Sequence, residues 1–202
     1  MSDVPRLDAM VDVEVFPNWY YVCAADADGN VLFELERWQG EAAVVRGKMP
    51  QAIGTYNGMR YDLVVLHAIR RGAEPREVYL LSSKIVASGG DAEDSFDYAQ
   101  APRWRPKLHV DVACCVNYGV LGLKSRAANL HFPTFEMMPA DPDRALRSDD
   151  APAVKHYCLN DVMATWHCYH AAASTVSNLA AFERRGVPRI TKHTQHLSLI
   201  HI

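Results

Sequence analysis

The stretch "LDAMVDVEVF" (residues 7–16) decides the fold. Apolar and acidic residues alternate in it with period two, the signature of a β-strand. Asp12 and Glu14 are two apart, so both side chains point to the same face of such a strand. Met10, Val11, Val13, Val15 and Phe16 surround them. A strand that is apolar on both sides of two acids is expected at the centre of a sheet. Two carboxylates there repel unless a cation or a proton intervenes. An ordinary solvated face is the alternative reading of the pair.

Outward from this strand, Pro17-Asn18 signals a turn, and "NWYYVCAAD" (18–26) is aromatic and β-branched, a second strand. "DADGN" (26–30) is another turn, and "VLFELERW" (31–38) completes an antiparallel meander. The Asp26 turn resembles the start of a calcium loop, but the twelfth position is Arg37 rather than Glu, so it reads as a hairpin. "EAAVVRGKM" (41–49) predicts a short helix and "QAIGTYN" (51–57) a fourth strand. Helices are expected over about 60–71, ending at Gly72, and over 76–88. Residues 89–106 read as a loop, and "KLHVDVAC" (107–114) as a fifth strand. A helix over 122–130, an irregular stretch over 133–152 and a long amphipathic helix over about 152–173 follow. Two late strands reached by crossovers, beside an early meander, predict an α/β fold with a five-stranded mixed sheet flanked by helices.

The chain's 202 residues, 49% of them hydrophobic, suit one compact domain with a sizeable core. That domain is placed at 1–182. Residues 183–202 lack a clear packing pattern and are set apart as a C-terminal tail, read as a truncated further segment or an incomplete reading frame. The net charge of −3 excludes a nucleic-acid binder working by bulk attraction, so a polyanion would have to be held locally or through metal ions. No apolar run approaches the ~18 residues that span a bilayer, and the N-terminus lacks the apolar core of a secretory signal. Five cysteines without Cys-x-x-Cys spacing suggest neither a disulfide framework nor a zinc site. These features predict a cytoplasmic protein, in the host cytoplasm if phage-encoded, without a membrane partner.

A third and a fourth acid lie far along the chain. In "NGMRYDLVVLHAI" (57–69) Asp62 stands at the mouth of an apolar run. In "HYCLNDVMATWHCY" (156–169) Tyr157 and Asp161 are i and i+4, neighbours on one helical face. Val154, Cys158, Val162, Thr165 and Trp166 form an adjacent face toward the sheet. Three segments thus supply Asp12, Glu14, Asp62 and Asp161. Converging carboxylate oxygens are what Mg²⁺ or Mn²⁺ prefer, and two such ions, about 3.5–4 Å apart, form a clamp for in-line displacement at phosphorus.

Asp12-Val13-Glu14, Asn57-x-x-x-Tyr61-Asp62 and Tyr157-x-x-x-Asp161 resemble the three motifs of the DEDD 3′–5′ exonucleases, in the branch with a tyrosine before the last acid (DEDDy). The wording "DVEVFPNWYYV", "GTYNGMRYDLVVLHAI" and "YCLNDVMATW" is similar to the proofreading exonuclease domains of phage-type DNA polymerases, over about residues 9–172. The resemblance implies a ribonuclease H-like fold. It also implies hydrolysis of the 3′-terminal phosphodiester of DNA, at single-stranded or frayed ends, with release of nucleoside 5′-monophosphates. Asp12, Glu14, Asp62 and Asp161 would hold two Mg²⁺ or Mn²⁺ ions, Asp62 in the outer sphere. Tyr157 would orient the attacking water, and Asn57 would help hold the substrate strand. Phe16 is read either as a base-stacking ring or as a core aromatic, and Lys124 either as a phosphate contact or as a solvated helix-start lysine. Ribonuclease D-like trimming of RNA and noncatalytic nucleic-acid binding are the competing functions. A freestanding nuclease and the front of a polymerase both accommodate these motifs, although polymerase motifs do not fit within 202 residues. His156, His167 and His170 share the long helix with Cys158 and Cys168, without a third ligand at sensible spacing for zinc.

Overall fold

Residues 5–58, 60–88, 106–115, 122–134, 136–184 and 200–201 are described by the computed structural model; the side chains of 114–115, 173–184 and 200–201 fall outside that description. Strand β1 (Ala9–Phe16) runs antiparallel to β2 (Trp19–Ala25), which pairs with β3 (Val31–Trp38), which pairs with β4 (Val44–Gly47). Strand β5 (Ala52–Thr55) returns parallel to β1, and β6 (Leu108–Asp111) runs parallel to β5. A two-residue strand, β7 (Ile200–His201), lies antiparallel to β6. The sheet is mixed, in the order β4-β3-β2-β1-β5-β6-β7. Its helices are α1 (Asp62–Arg70), α2 (Pro75–Ala87), α3 (Val112–Cys115), α4 (Leu123–Asn129) and α5 (Ala151–Arg184).

The expected α/β class and mixed sheet stand, and β1 lies inside the sheet between β2 and β5. The strand count is corrected: among the described residues six strands have four residues or more, not five in all, and β7 adds a short seventh. The difference lies mainly at 41–49, expected as a helix. An isolated helix of one or two turns does not offset its nucleation cost. Val44 and Val45 favour extended backbone. Gly47, at φ +75°, sits so close to β3 that a Cβ would lie 2.0 Å from the Leu32 carbonyl oxygen. A second correction is at 107–114, where the strand ends at Asp111 and the chain turns into α3. The Asp26 turn is the β2–β3 hairpin: its carboxylate accepts the Asp28 and Asn30 amides at 3.0 and 2.9 Å. The expected loop at 89–106 and tail from 183 lie almost wholly outside the described residues.

Period two divides β1 between two cores. Val11, Val13 and Val15 join Tyr20, Val22 and Ile53 against Val64, Val65 and Ile69 of α1 and Val78 and Ile85 of α2. Met10 and Phe16 join Trp19, Tyr21 and Cys23 against Val154, Cys158, Val162 and Trp166 of α5. Asp12 and Glu14 lie between Met10 and Phe16 on this second face. Among the described residues no helix is long and apolar enough to cross a membrane.

Candidate active site

The acidic site forms where α5 crosses β1. Glu14 is buried and Asp12 only partly exposed. Carboxylate oxygens of both, with the Cys158 Sγ of α5, lie within 4.8 Å of one another. Asp62 is the first residue of α1 and 3% exposed. The turn that precedes it is closed by the Asn57 carbonyl, which accepts the Arg60 and Tyr61 amides at 3.2 Å each, and the apolar run behind it packs on the opposite face of the sheet. Asp161 lies one turn along α5 from Tyr157, whose hydroxyl hydrogen-bonds its carboxylate.

Electrostatics show how tightly these groups converge. Burial lifts Glu14 well above the usual carboxylate range, and the charges of Asp12, Asp161 and Asp62 add to the shift. All three other acids therefore act on one carboxyl. Burial, then the charge of Asp161, pushes Asp12 up to about 6. Asp62 is raised by burial, then by Asp12 and Asp111. Burial raises Asp161 too, against the opposing pull of Lys124 and the Tyr157 hydroxyl. Hydrogen bonding between the Glu14 and Asp12 carboxyls and from the Cys158 thiol relieves part of the repulsion at Asp12. The thiol stays protonated because burial, above all, raises its pKa.

Lys124 supplies the remaining counter-charge. Its Nζ is 2.5 Å from Asp161 Oδ1 and 3.9 Å from the centre of the Tyr157 ring. Its side chain is 37% exposed, so it bridges solvent and the acids rather than standing free at the start of α4. Tyr157 is pushed up, mainly by burial and then by Asp161 and Glu14, so its hydroxyl keeps its proton at neutral pH and acts through hydrogen bonds, not as a base. A crowd of hard carboxylate oxygens, offset by hydrogen bonds and one ammonium, is a donor set that fits a divalent cation.

The structure thus brings Asp12, Glu14, Asp62, Tyr157 and Asp161 together, with Lys124 at their edge. Asn57 lies on the loop leading to α1, exposed and at φ +62°. Phe16 does not reach this site as an open ring. It is 0% exposed and packs edge-on against Trp19 at 5.8 Å, the core position weighed for it in the sequence. The α5 histidines make separate contacts: His156 with Glu136, His167 with the Leu130 carbonyl, His170 against Trp166. Sequence reasoning missed Asp111, buried at the end of β6, and the Cys158 thiol as a hydrogen-bond donor. An acid that closes a strand before small residues, "HVDVAC", is the signal that could have drawn attention to Asp111. No family model, curated protein or solved structure matches this chain.

Proposed function

We propose that this chain is a divalent-cation-dependent 3′–5′ exonuclease domain of ribonuclease H-like fold and DEDDy type. It hydrolyses the 3′-terminal phosphodiester of single-stranded or frayed DNA and releases nucleoside 5′-monophosphates. The observation that carries the reading is the convergence of three carboxylates, Asp12 of β1, Asp62 of α1 and Asp161 of α5, on a fourth, Glu14, beside a protonated tyrosine hydroxyl. Such a cluster opposes its own ionisation, and this is tolerated where a cation is to be bound.

Asp12, Glu14 and Asp161 would hold the ions, Mg²⁺ or Mn²⁺, with Asp62 behind them. When bound, these cations supply the positive charge that offsets charge build-up at phosphorus. The chain's own groups do the rest. The Tyr157 hydroxyl orients the attacking water. Lys124, on a flexible stem beside Asp161, reaches toward the phosphate. The exposed Asn57 side chain holds the terminal nucleotides. A net charge of −3 gives little bulk attraction to DNA, so binding is local to the 3′ end and favours frayed over blunt termini. Cys23, Cys158 and Cys168 are buried free thiols, in keeping with a reducing cytoplasm.

Incubation with 5′-labelled single-stranded DNA or RNA in Mg²⁺, Mn²⁺ or EDTA tests the reading. A ladder shortening from the 3′ end on DNA, abolished by EDTA, is expected. A ladder on RNA alone would favour the trimming alternative. Intact substrate with either ion would overturn the catalytic assignment.

A further inference from the structure

The loop that leaves β5 is fixed residue by residue. Thr55 Oγ1 hydrogen-bonds His109 Nε2 at 2.8 Å across the β5–β6 pair. The Tyr56 hydroxyl accepts the Nε–H of Arg126, a buried side chain on α4, at 3.0 Å. The Asn57 amide donates to Asp111 Oδ1 at 2.9 Å. A Cβ at Gly58 would lie 1.9 Å from Thr55 Oγ1, so the chain passes there with no room for a side chain. Asn57 sits at φ +62°, a left-handed conformation that asparagine tolerates better than most residues.

Asp111 is placed for this contact by topology. The parallel register sets it beside Thr55, the last residue of β5. It is 1% exposed, and the same Oδ1 also accepts the Ala113 amide at 3.1 Å. The Ala113 bond is an ordinary cap for the turn into α3. The Asn57 bond does something the cap does not require: it ties the end of β6 to the loop that leads from β5 to Asp62.

We propose that Asp111 is a positioning residue whose buried carboxylate holds the Asn57 backbone in its left-handed turn, so that the exposed Asn57 side chain meets the nucleic-acid 3′ end at a fixed place. This rests on the exonuclease reading of the site. Asp111 acts through Asn57 and touches no substrate.

The test is a double-mutant cycle on the full chain, with kcat and KM measured on a 5′-labelled single-stranded oligonucleotide in Mn²⁺. Asp111→Ala should raise KM about tenfold with a smaller change in kcat, since a loosened clamp loses binding of the strand. In an Asn57→Ala background the same change should cost less than about twofold, because the residue it acts through is already gone. Asp111→Asn, which keeps an oxygen acceptor for both amides, should restore the wild-type KM. If Asp111→Ala fails to fold, Asp111→Glu replaces it: the charge stays, the acceptor moves by one methylene, and KM should rise only where Asn57 is present. Equal costs in both backgrounds would reduce Asp111 to a structural cap and overturn the proposal, as would an unchanged KM in a folded variant. A wild-type chain that leaves the oligonucleotide intact would instead sink the exonuclease reading and the proposal with it; an active wild type with additive costs sinks the proposal alone.

Discussion

The two faces of β1 carry the same backbone and obey opposite rules. On one, Val11, Val13 and Val15 close an apolar core with α1 and α2. On the other, two residues of the alternation are Asp12 and Glu14, and the helix across from them contributes Asp161 rather than another valine. The first face contributes hydrophobic burial to stability. The second buries Met10 and Phe16 as well, but the two acids between them work against stability, since burial and mutual repulsion lift the site's carboxyls above their ordinary range. One strand thus packs a purely apolar core with its odd residues and sets two acids among its even ones.

Substitutions on the two faces should therefore separate fold from activity. Asp12→Ala or Asp161→Ala should abolish hydrolysis at saturating Mg²⁺ while leaving the melting temperature in EDTA equal or higher, because a repelling charge has been removed. Ile85→Ala, in the apolar core of the other face, should cost about 2–5 kcal/mol of stability and leave the rate per folded molecule intact. Cleavage rates and urea titrations of the same preparations check both. Near wild-type cleavage by either acid variant would break the comparison.

A smaller effect is expected at Tyr157→Phe, which keeps the ring and deletes one hydroxyl. Single-turnover cleavage should slow by roughly 10², with Mn²⁺ affinity little changed. An unchanged rate would make Tyr157 a packing residue of the α5 face.

The pH dependence sharpens the contrast further. Asp12 sits at about 6 in the fold against an ordinary value of 3.8, so the folded chain keeps its proton longer than the unfolded chain does. Stability in EDTA from this group is then full below about pH 4, falls as pH rises toward 6, and stays reduced above. Asp12→Asn removes that loss. Its gain over wild type should be absent near pH 4 and reach on the order of 1–3 kcal/mol above pH 6. Urea titrations at pH 4, 5, 6 and 7 read it directly. A gain that is the same at every pH would assign the effect to packing instead.

How much of this was legible in the sequence follows from what is local. The strands β1, β2, β3 and β5 and the helices α1, α2 and α5 announce themselves through period, turn residues and caps, because each signal lies within the element. Residues 41–49 misled because Glu41, Ala42 and Ala43 look helical, while the deciding contact, Gly47 against the Leu32 carbonyl, lies on another strand. The acids at 12, 14, 62 and 161 could be picked out by their motifs. The pairings that set their environment could not: Lys124, weighed only as a phosphate contact or a solvated lysine, is 37 residues from Asp161, and Asp111, which was missed, is 54 from Asn57. Those pairs exist only once the crossovers are made. Phe16 shows the limit from the other side, since an aromatic beside an acidic motif reads equally well as ligand platform or core until burial is known.

Lys124→Met should have the smallest effect on the fold. Its ion pair with Asp161 is partly exposed, so the loss in EDTA should stay below about 1 kcal/mol. Mn²⁺ affinity should hold or rise, because an ammonium that competes for the same carboxylate has gone. A marked fall in Mn²⁺ affinity would show that Lys124 organises the acids rather than neutralising one of them.

The central claim is that the acidic face of β1 and α5 is built for a divalent cation and holds protons in its place. Calorimetric titration of Mn²⁺ at pH 6, in two buffers of different ionisation enthalpy, tests it most directly. Ligands must shed their protons to bind. The wild type should bind Mn²⁺ with release of a proton, release should diminish by pH 8, and Asp12→Asn should bind far more weakly. Absence of Mn²⁺ binding, or binding that neither releases protons nor depends on Asp12, would contradict the account.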